Sequence, residues 1–310
     1  MSTEYFIGID VSKDTLDVCV YPTQESFCVP NSAQGLDELI KRLKPIEPRL
    51  IVCEATGGYE TLAVSSLAAA GLPVVVINPR QIRDFAKSIG QLAKTDSIDA
   101  GVIARFASAV RPELRPVKDS PSQELSGLVT RRRQIVEMIV AETNRLQAAT
   151  RRNRRDIQTH IGWLQKRLKQ IDDEIKRDIK NGPLWRTTDQ ILQSTPGVGP
   201  ATSAMLISCV PELGQLDRKK IACLIGLAPL NRDSGRYKGR RTIWGGRAQV
   251  RSVLYMSALA AIQYNPVIRE CYKRLRDAGK CFKVAIVACM RKLLIILNAM
   301  VHNQTKWRSC

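Results

Sequence analysis

The feature that most restricts this chain is a seam of aliphatic residues near its middle. Ile157, Ile161, Leu164, Leu168, Ile171 and Ile175 recur at spacings of 4, 3, 4, 3 and 4. That rhythm is the a/d pattern of a helix lying along another helix, and Gly and Pro are almost missing from residues 120–180. A helix-period segment of this kind does not settle as a strand. Residues 113–182 are therefore expected to form a helical, coiled-coil segment whose seam pairs helices or protomers. The break at Asn181-Gly182-Pro183 marks the linker to a third region at 183–310, and residues 1–112 stand apart as the first.

The first region reads as α/β. Tyr5–Asp10 is a short apolar run, Thr15–Tyr21 alternates apolar and polar, and a third strand fits Ser26–Pro30. Leu36, Leu39, Ile40 and Leu43 give helical spacing over Gln34–Leu43. A strand at Arg49–Cys53 precedes a Thr-Gly-Gly turn. A helix follows to Ala70 and stops at Gly71, Pro73–Ile77 is a buried strand, and helices fit Arg80–Ile89 and Thr95–Ala109. Three meander strands followed by alternating helix and strand is the order of a ribonuclease H-like fold. The region from 183 onward is mostly helical.

Charge separates the same regions. The chain of 310 residues carries a net +19. Residues 1–110 hold 10 basic against 13 acidic residues, residues 111–182 hold 17 against 10, and residues 183–310 hold 21 against 6. The first region can hold cations, whereas the remainder suits a polyanion, nucleic acid before an anionic membrane. The basic segments lack the aromatic anchors of a membrane-surface protein. Nine cysteines are scattered with no Cys-x-x-Cys pair, and two histidines are present, which argues against zinc and a disulfide scaffold and for buried thiols in a reducing cytoplasm. No signal peptide is read at the start. The apolar stretch Val284–Met300 is interrupted by Arg291 and Lys292 and reads as an amphipathic or buried helix rather than a membrane span.

Four acids fall at structurally telling places. Asp10 ends the first strand, Glu54 ends the fourth, and Asp96 and Asp99 lie three apart, on one face of a helix. In a ribonuclease H-like fold the first and fourth strands are neighbours and the last helix crosses their ends, so the four would converge. Clustered carboxylates repel unless a cation joins them, and hard oxygen ligands suit Mg2+ or Mn2+. Two such ions can activate an attacking oxygen and stabilise a leaving one in phosphoryl transfer. Taken singly, each acid also has a plain structural use, as a strand-end turn residue, a loop acid or a partner of a helix dipole. Asp14 and Asp17 alternate along a strand or its turn, and Glu60 reads as a surface-helix residue, so all three are set aside.

The second constellation is residues 228–251, with seven basic residues, one acid and glycines at 235, 239, 245 and 246. Such a loop can approach phosphate closely. Ser234 lies on a tight turn within it. A serine hydroxyl there could attack a phosphodiester, although a turn serine is more commonly structural and no histidine stands nearby as a base. Further phosphate contacts are expected from Arg236, Lys238, Arg240, Arg241 and Arg247, and from Arg131, Arg132, Arg133, Arg151, Arg152, Arg154 and Arg155 on the helical segment, where a solvated helix face is the plainer alternative. Pro196-Gly197-Val198-Gly199-Pro200 resembles a helix-hairpin-helix turn, in which Gly197 and Gly199 would free backbone N–H groups for phosphate; a plain interhelical turn fits equally.

Together these segments resemble the DEDD transposases of insertion sequences, the family that includes the Piv DNA invertase. The likeness rests on Gly-Ile-Asp-Val-Ser-Lys at 8–13, Glu-Ala-Thr-Gly-Gly-Tyr-Glu at 54–60, Asn-Pro-Arg-Gln at 78–81 and Lys-Thr-Asp-Ser-Ile-Asp-Ala at 94–100. It continues with Pro-Gly-Val-Gly-Pro at 196–200, Gly-Leu-Ala-Pro at 226–229, Asp-Ser-Gly at 233–235 and Arg-Lys-Leu-Leu at 291–294. The resemblance implies a RuvC-like domain, a coiled coil and a transposase domain. It implies Mg2+ at Asp10, Glu54, Asp96 and Asp99 and makes Ser234 the nucleophile. It further implies a structured guide RNA (a bridge RNA) that pairs with donor and target DNA, and dimers or tetramers with composite active sites, working in a prokaryotic cytoplasm. Composition alone does not select RNA over DNA. Two rivals remain from the residues: a junction-cutting hydrolytic nuclease on the same fold, and a non-catalytic basic nucleic-acid-binding protein.

Overall fold

A computed structural model describes residues 3–91, 96–114, 120–231, 233–234, 237–239 and 241–308; the side chains of residues 96–98, 120, 234, 237 and 238 lie outside the description. The chain gathers into two compact units, Met1–Lys118 and Asp119–Cys310.

The first unit is a five-stranded sheet with helices on both faces. Its elements are β1 (Phe6–Val11), β2 (Thr15–Tyr21), β3 (Glu25–Pro30), α1 (Ala33–Leu43), β4 (Leu50–Glu54), α2 (Glu60–Ala69), β5 (Val74–Ile77), α3 (Pro79–Ser88) and α4 (Asp96–Val110). The strand order is β3-β2-β1-β4-β5. The meander β1–β2–β3 is antiparallel, and β1, β4 and β5 run parallel. β1 is apolar almost throughout because both of its faces are covered. Ile7, Ile9 and Val11 pack under α1 and α2 with Leu36, Leu39 and Leu67. Phe6 points to the opposite face and packs with Val52, Ile82, Ile103, Phe106 and Ala107 under α3 and α4. Side-chain alternation along a strand thus assigns Phe6, Gly8 and Asp10 to the α4 face. Helix starts follow local chemistry: the Ser32 hydroxyl accepts the Gly35 amide before α1, and Asn78 caps α3, with Pro79 in its first turn.

The second unit is helical. Long helices α5 (Ser120–Ala148) and α6 (Arg151–Asn181) are joined by two residues and pack as an antiparallel hairpin. They are followed by α7 (Pro183–Gln193), α8 (Pro200–Cys209), α9 (Arg218–Ile225), α10 (Ala248–Tyr264), α11 (Pro266–Asp277) and α12 (Phe282–His302). Leu164, Ile171 and Ile175 of the seam are buried, in one core with Leu125, Val129 and Ile135 of α5 and with Ile191, Leu206, Leu254, Leu293 and Leu297. Each fully buried leucine contributes about 1.5–3 kcal/mol of burial free energy. Near the hairpin tip Ile157 and Ile161 are half-exposed, so the seam is tightly covered only toward its base. Among the described residues one helix, α12, is long and apolar enough to cross a membrane by length and composition. It is also the central core helix of this unit, with Leu293, Leu294 and Leu297 fully buried.

Between α9 and α10 the chain makes two short ladders. β6 (Pro229–Leu230) pairs with β9 (Thr242–Ile243), and β7 (Asp233–Ser234) pairs with β8 (Tyr237–Lys238).

Candidate active site

Asp10 and Glu54 are brought side by side by register. Parallel pairing aligns Ile9 with Cys53, so the next step along both strands sets Asp10 beside Glu54. Both are two residues beyond positions on the α4 face, Gly8 and Val52, and therefore share that face.

Gly8 fixes where α4 lies. A Cβ on Gly8 would stand 2.2 Å from the Ala100 carbonyl oxygen and 2.3 Å from the Ala104 nitrogen. The α4 backbone is thus seated directly on β1, which only glycine permits. Farther along, Phe106 and Ala107 pack with Phe6, so α4 runs antiparallel to β1 and its first turn lies at the strand's C-terminal end. From Gly8 to Asp10 the strand advances about 7 Å. From Ala100 back to Asp96 the helix retreats about 6 Å. Asp99, half-buried and one turn before the fully buried Ile103, is on the sheet-facing side at the level of Asp10 and Glu54. Asp96 opens the helix, and its side chain is outside the description. The positive end of the α4 dipole faces this group of acids and offsets part of their mutual repulsion.

Among the described residues no three acid, histidine or cysteine side chains close on one point as a metal cage would. Asp10 and Glu54 lie at the C-terminal ends of two neighbouring interior strands, near the start of the helix that carries Asp99. Their donor set of hard oxygens fits a divalent cation such as Mg2+ or Mn2+. The neighbouring Cys53 contributes no thiolate: burial, reinforced by the Glu60 charge, pushes its thiol up to about 12.

Two residues outside the expected set shape the rim. Glu60, read from sequence as a surface-helix residue, turns its carboxylate back onto its own loop, accepting the amides of Thr56 (3.0 Å) and Gly58 (2.8 Å). Asn31, just after β3, donates to the carbonyls of Ser12 (3.0 Å) and Tyr59 (3.2 Å). The Asn31 role leaves no signal in spacing, because it depends on loops that meet only in the folded sheet, whereas the Glu60 contacts are local to its own loop.

In the second unit Ser234 ends β7 and is paired with Tyr237 of β8. The serine therefore belongs to the tip of a β-ribbon rather than to an unstructured loop. Arg236 and Arg240 lie outside the described residues, as do the side chains of Ser234 and Lys238; Arg241 is exposed. The feet of the ribbon are braced. Arg251 donates to the Ile225 carbonyl (3.0 Å) and to that of Gly245. Arg247 grips Glu212 with both guanidinium nitrogens at 2.6 Å, so its fork is committed to a carboxylate within the fold.

The other expected phosphate contacts divide by position. Arg132 pairs with Asp172 at 2.6 Å, Arg133 pairs with Glu137 at 2.9 Å, and Arg131 bonds Gln134 at 3.1 Å. Arg151, Arg152, Arg154 and Arg155 are exposed in the opening turns of α6, with no acid in its first turn. Four cations at a helix start oppose the dipole, so they do not stabilise the helix through it. Gly197 has φ 96°, and a Cβ there would stand 2.6 Å from the Ala261 nitrogen, so this glycine is needed for packing against α10. Gly199 faces open space at the start of α8.

Comparison with known proteins places two family matches along the chain, the first of them running across the boundary between the two units. A family model described as a transposase of the DEDD, IS110 type matches residues 7–152, and one described as the IS116/IS110/IS902 transposase family matches residues 189–273. The pilin gene-inverting protein of Moraxella lacunata is 28% identical over 308 residues, 96% of each chain. The transposase of insertion element IS1328 from Yersinia enterocolitica is 24% identical over 83% of this chain and 84% of its own. A 44.8 kDa protein of insertion element IS116 from Streptomyces clavuligerus is 33% identical over 48% of this chain and 37% of its own. Two matched models of one kind, in tandem, and relatives aligned nearly end to end establish that the chain belongs to the IS116/IS110/IS902 family of DEDD transposases, enzymes that recombine DNA.

Proposed function

We propose that this transposase is an RNA-guided, divalent-metal-dependent recombinase in which Ser234 attacks a DNA phosphate assisted by the carboxylates Asp10, Glu54, Asp96 and Asp99. The observation that supports it best is the seating of α4 on Gly8, with Asp10 beside Glu54 under the first turn of that helix. The strand order β3-β2-β1-β4-β5 supports reading the first unit as ribonuclease H-like and RuvC-like, and the packed pair α5 and α6 supports reading the helical segment as a coiled coil. Bound at the carboxylates, Mg2+ (or Mn2+) would supply charge stabilisation for the phosphate and its leaving oxygen.

The serine oxygen forms a bond to phosphorus as the bond to a deoxyribose oxygen breaks. The phosphoserine ester retains the bond energy, so rejoining needs no other input. Arg236, Lys238, Arg240 and Arg241 hold flanking phosphates, and the arginines at the tip of the hairpin bind nucleic acid farther out. In keeping with the family resemblance, the working form is a homodimer or homotetramer with composite sites. Donor and target DNA are selected by pairing with a structured RNA, in a prokaryotic cytoplasm.

The test is cleavage of the element's own junction DNA with Mg2+ and the co-expressed flanking RNA, scored on a denaturing gel for protein-linked DNA. Wild type is expected to form an adduct that Asp10→Ala and Ser234→Ala both lose. Cleavage that survives Ser234→Ala but not Asp10→Ala would mean that water attacks and the protein is a hydrolytic nuclease.

A further inference from the structure

The loops leaving β1 and β4 are joined by a side chain from neither of them. Asn31 follows β3, and both of its amide hydrogens are engaged, one on Ser12 O at 3.0 Å and one on Tyr59 O at 3.2 Å. Ser12 is two residues beyond Asp10, and Tyr59 is five beyond Glu54. The bonding continues on the β4 side: Thr56 Oγ1 donates to Glu54 O at 3.0 Å, and Glu60 collects the amides of Thr56 and Gly58. On the β1 side Ser12 is held to Thr15 through backbone and hydroxyl. Hydrogen bonds thus order the loop after Glu54 and the end of the strand bearing Asp10, and the Asn31 side chain links the two.

The local turn does not need this side chain, because Asn31 N already donates to Asp14 O at 2.9 Å. The amide's remaining atom, Oδ1, is buried and has no hydrogen-bond partner. A residue serving only the turn is rarely kept with a buried acceptor unmet. The two donors reaching two separate carbonyls are what aspartate, alanine or serine cannot reproduce.

We propose that Asn31 is a positioning residue that fixes the separation of Asp10 and Glu54, and with it the affinity of the carboxylate row for a divalent cation. The inference rests on the metal-binding reading given above. Outer-shell partners of metal ligands typically contribute about 10–100-fold in affinity. Asn31→Asp should act most strongly, since it replaces two donors by acceptors facing carbonyl oxygens.

The experiment is Mn2+ titration of the full-length protein, read as loss of the free-ion electron paramagnetic resonance signal. Wild type, Asp10→Ala, Asn31→Asp and Asn31→Ala are compared, with circular dichroism as the folding control. Weakening by about 10-fold or more in both folded Asn31 variants, with binding lost in Asp10→Ala, is the expected result. Wild-type affinity in the Asn31 variants while Asp10→Ala fails to bind overturns the positioning role and leaves the metal site standing. Equal binding by wild type and Asp10→Ala removes the metal site and the positioning role with it. Should the Asn31 variants not fold, amide hydrogen exchange of wild type with and without Mn2+ decides. Protection rising together at 12–15 and 55–60 supports the link, and protection of one segment alone refutes it.

Discussion

Replacing Gly8 by alanine tests how α4 is held over the carboxylates. The added Cβ would lie 2.2 Å from Ala100 O and 2.3 Å from Ala104 N, whereas ordinary contact begins near 3.4 Å. Neither partner is a side chain that can rotate away, so α4 must retreat by about 1 Å. Overpacking of this kind costs about 1–3 kcal/mol. The gain from removing a glycine in a strand, about 0.5–1 kcal/mol, is smaller. Because the overlap is with backbone, the upper part of the range applies, and a net loss of about 2 kcal/mol is expected. For a unit of this size that lowers Tm by about 8 °C. The same retreat lifts Asp99 from Asp10 and Glu54, and a displacement of about 1 Å in a reacting constellation costs about 100-fold in rate. Thermal unfolding followed by circular dichroism, and single-turnover cleavage of junction DNA well below Tm, read the two effects separately. Wild-type Tm in Gly8→Ala would refute the seating of α4. A lowered Tm with unchanged cleavage would refute the link between that seating and catalysis.

Three further outcomes follow from other parts of the molecule. Glu212→Ala leaves Arg247 without its bidentate partner at the foot of the serine ribbon and should destabilise the second unit by about 1.5–3 kcal/mol, measured as the urea midpoint, with Glu212→Gln retaining part of the loss; a midpoint unchanged in Glu212→Ala would show that the clamp is dispensable. Replacing Arg151, Arg152, Arg154 and Arg155 by alanine should flatten the salt dependence of duplex binding by about 0.9 in log K per log salt for each phosphate no longer neutralised, read by fluorescence anisotropy, and an unchanged slope would show that they touch no phosphate. The amides of Lys220 and Lys219 hold the Asp217 carboxyl below its ordinary 3.8, so its charge contributes fully above that value and the contribution fades as pH falls through the lower folded value. The Tm gap between wild type and Asp217→Asn should accordingly be steady down to about pH 5 and close below about pH 4; a gap that widens on acidification would contradict the assignment.

Much of this was legible in the sequence because it is local. Thr15–Tyr21 alternates and is a strand over those same residues, and the apolar spacing at 36, 39 and 43 marks the buried face of α1. Asp10 and Glu54 were readable as strand-end acids since apolar runs end just before or after them. The ribbon carrying Ser234 was less legible: β6 to β9 are two residues each, too short for any periodicity, and the glycines suggested only a loop. Arg247 likewise looked like one more cation among many until Glu212, 35 residues away, appeared opposite it.

By itself, then, the chain's chemistry determined the longer strands and helices, the uneven charge, and which acids stand near strand ends or at a helix start, because each follows from near neighbours. Tertiary structure alone decided what covers what. It put the base of the helical hairpin in one core with the C-terminal helices, since periodicity marks an apolar face but not its partner. It made Gly8 the seat of α4, withdrew Arg247 and Arg132 into ion pairs, and set Asn31 between two loops. Each of these depends on residues distant in sequence meeting at a distance of a few ångströms, which no local pattern encodes.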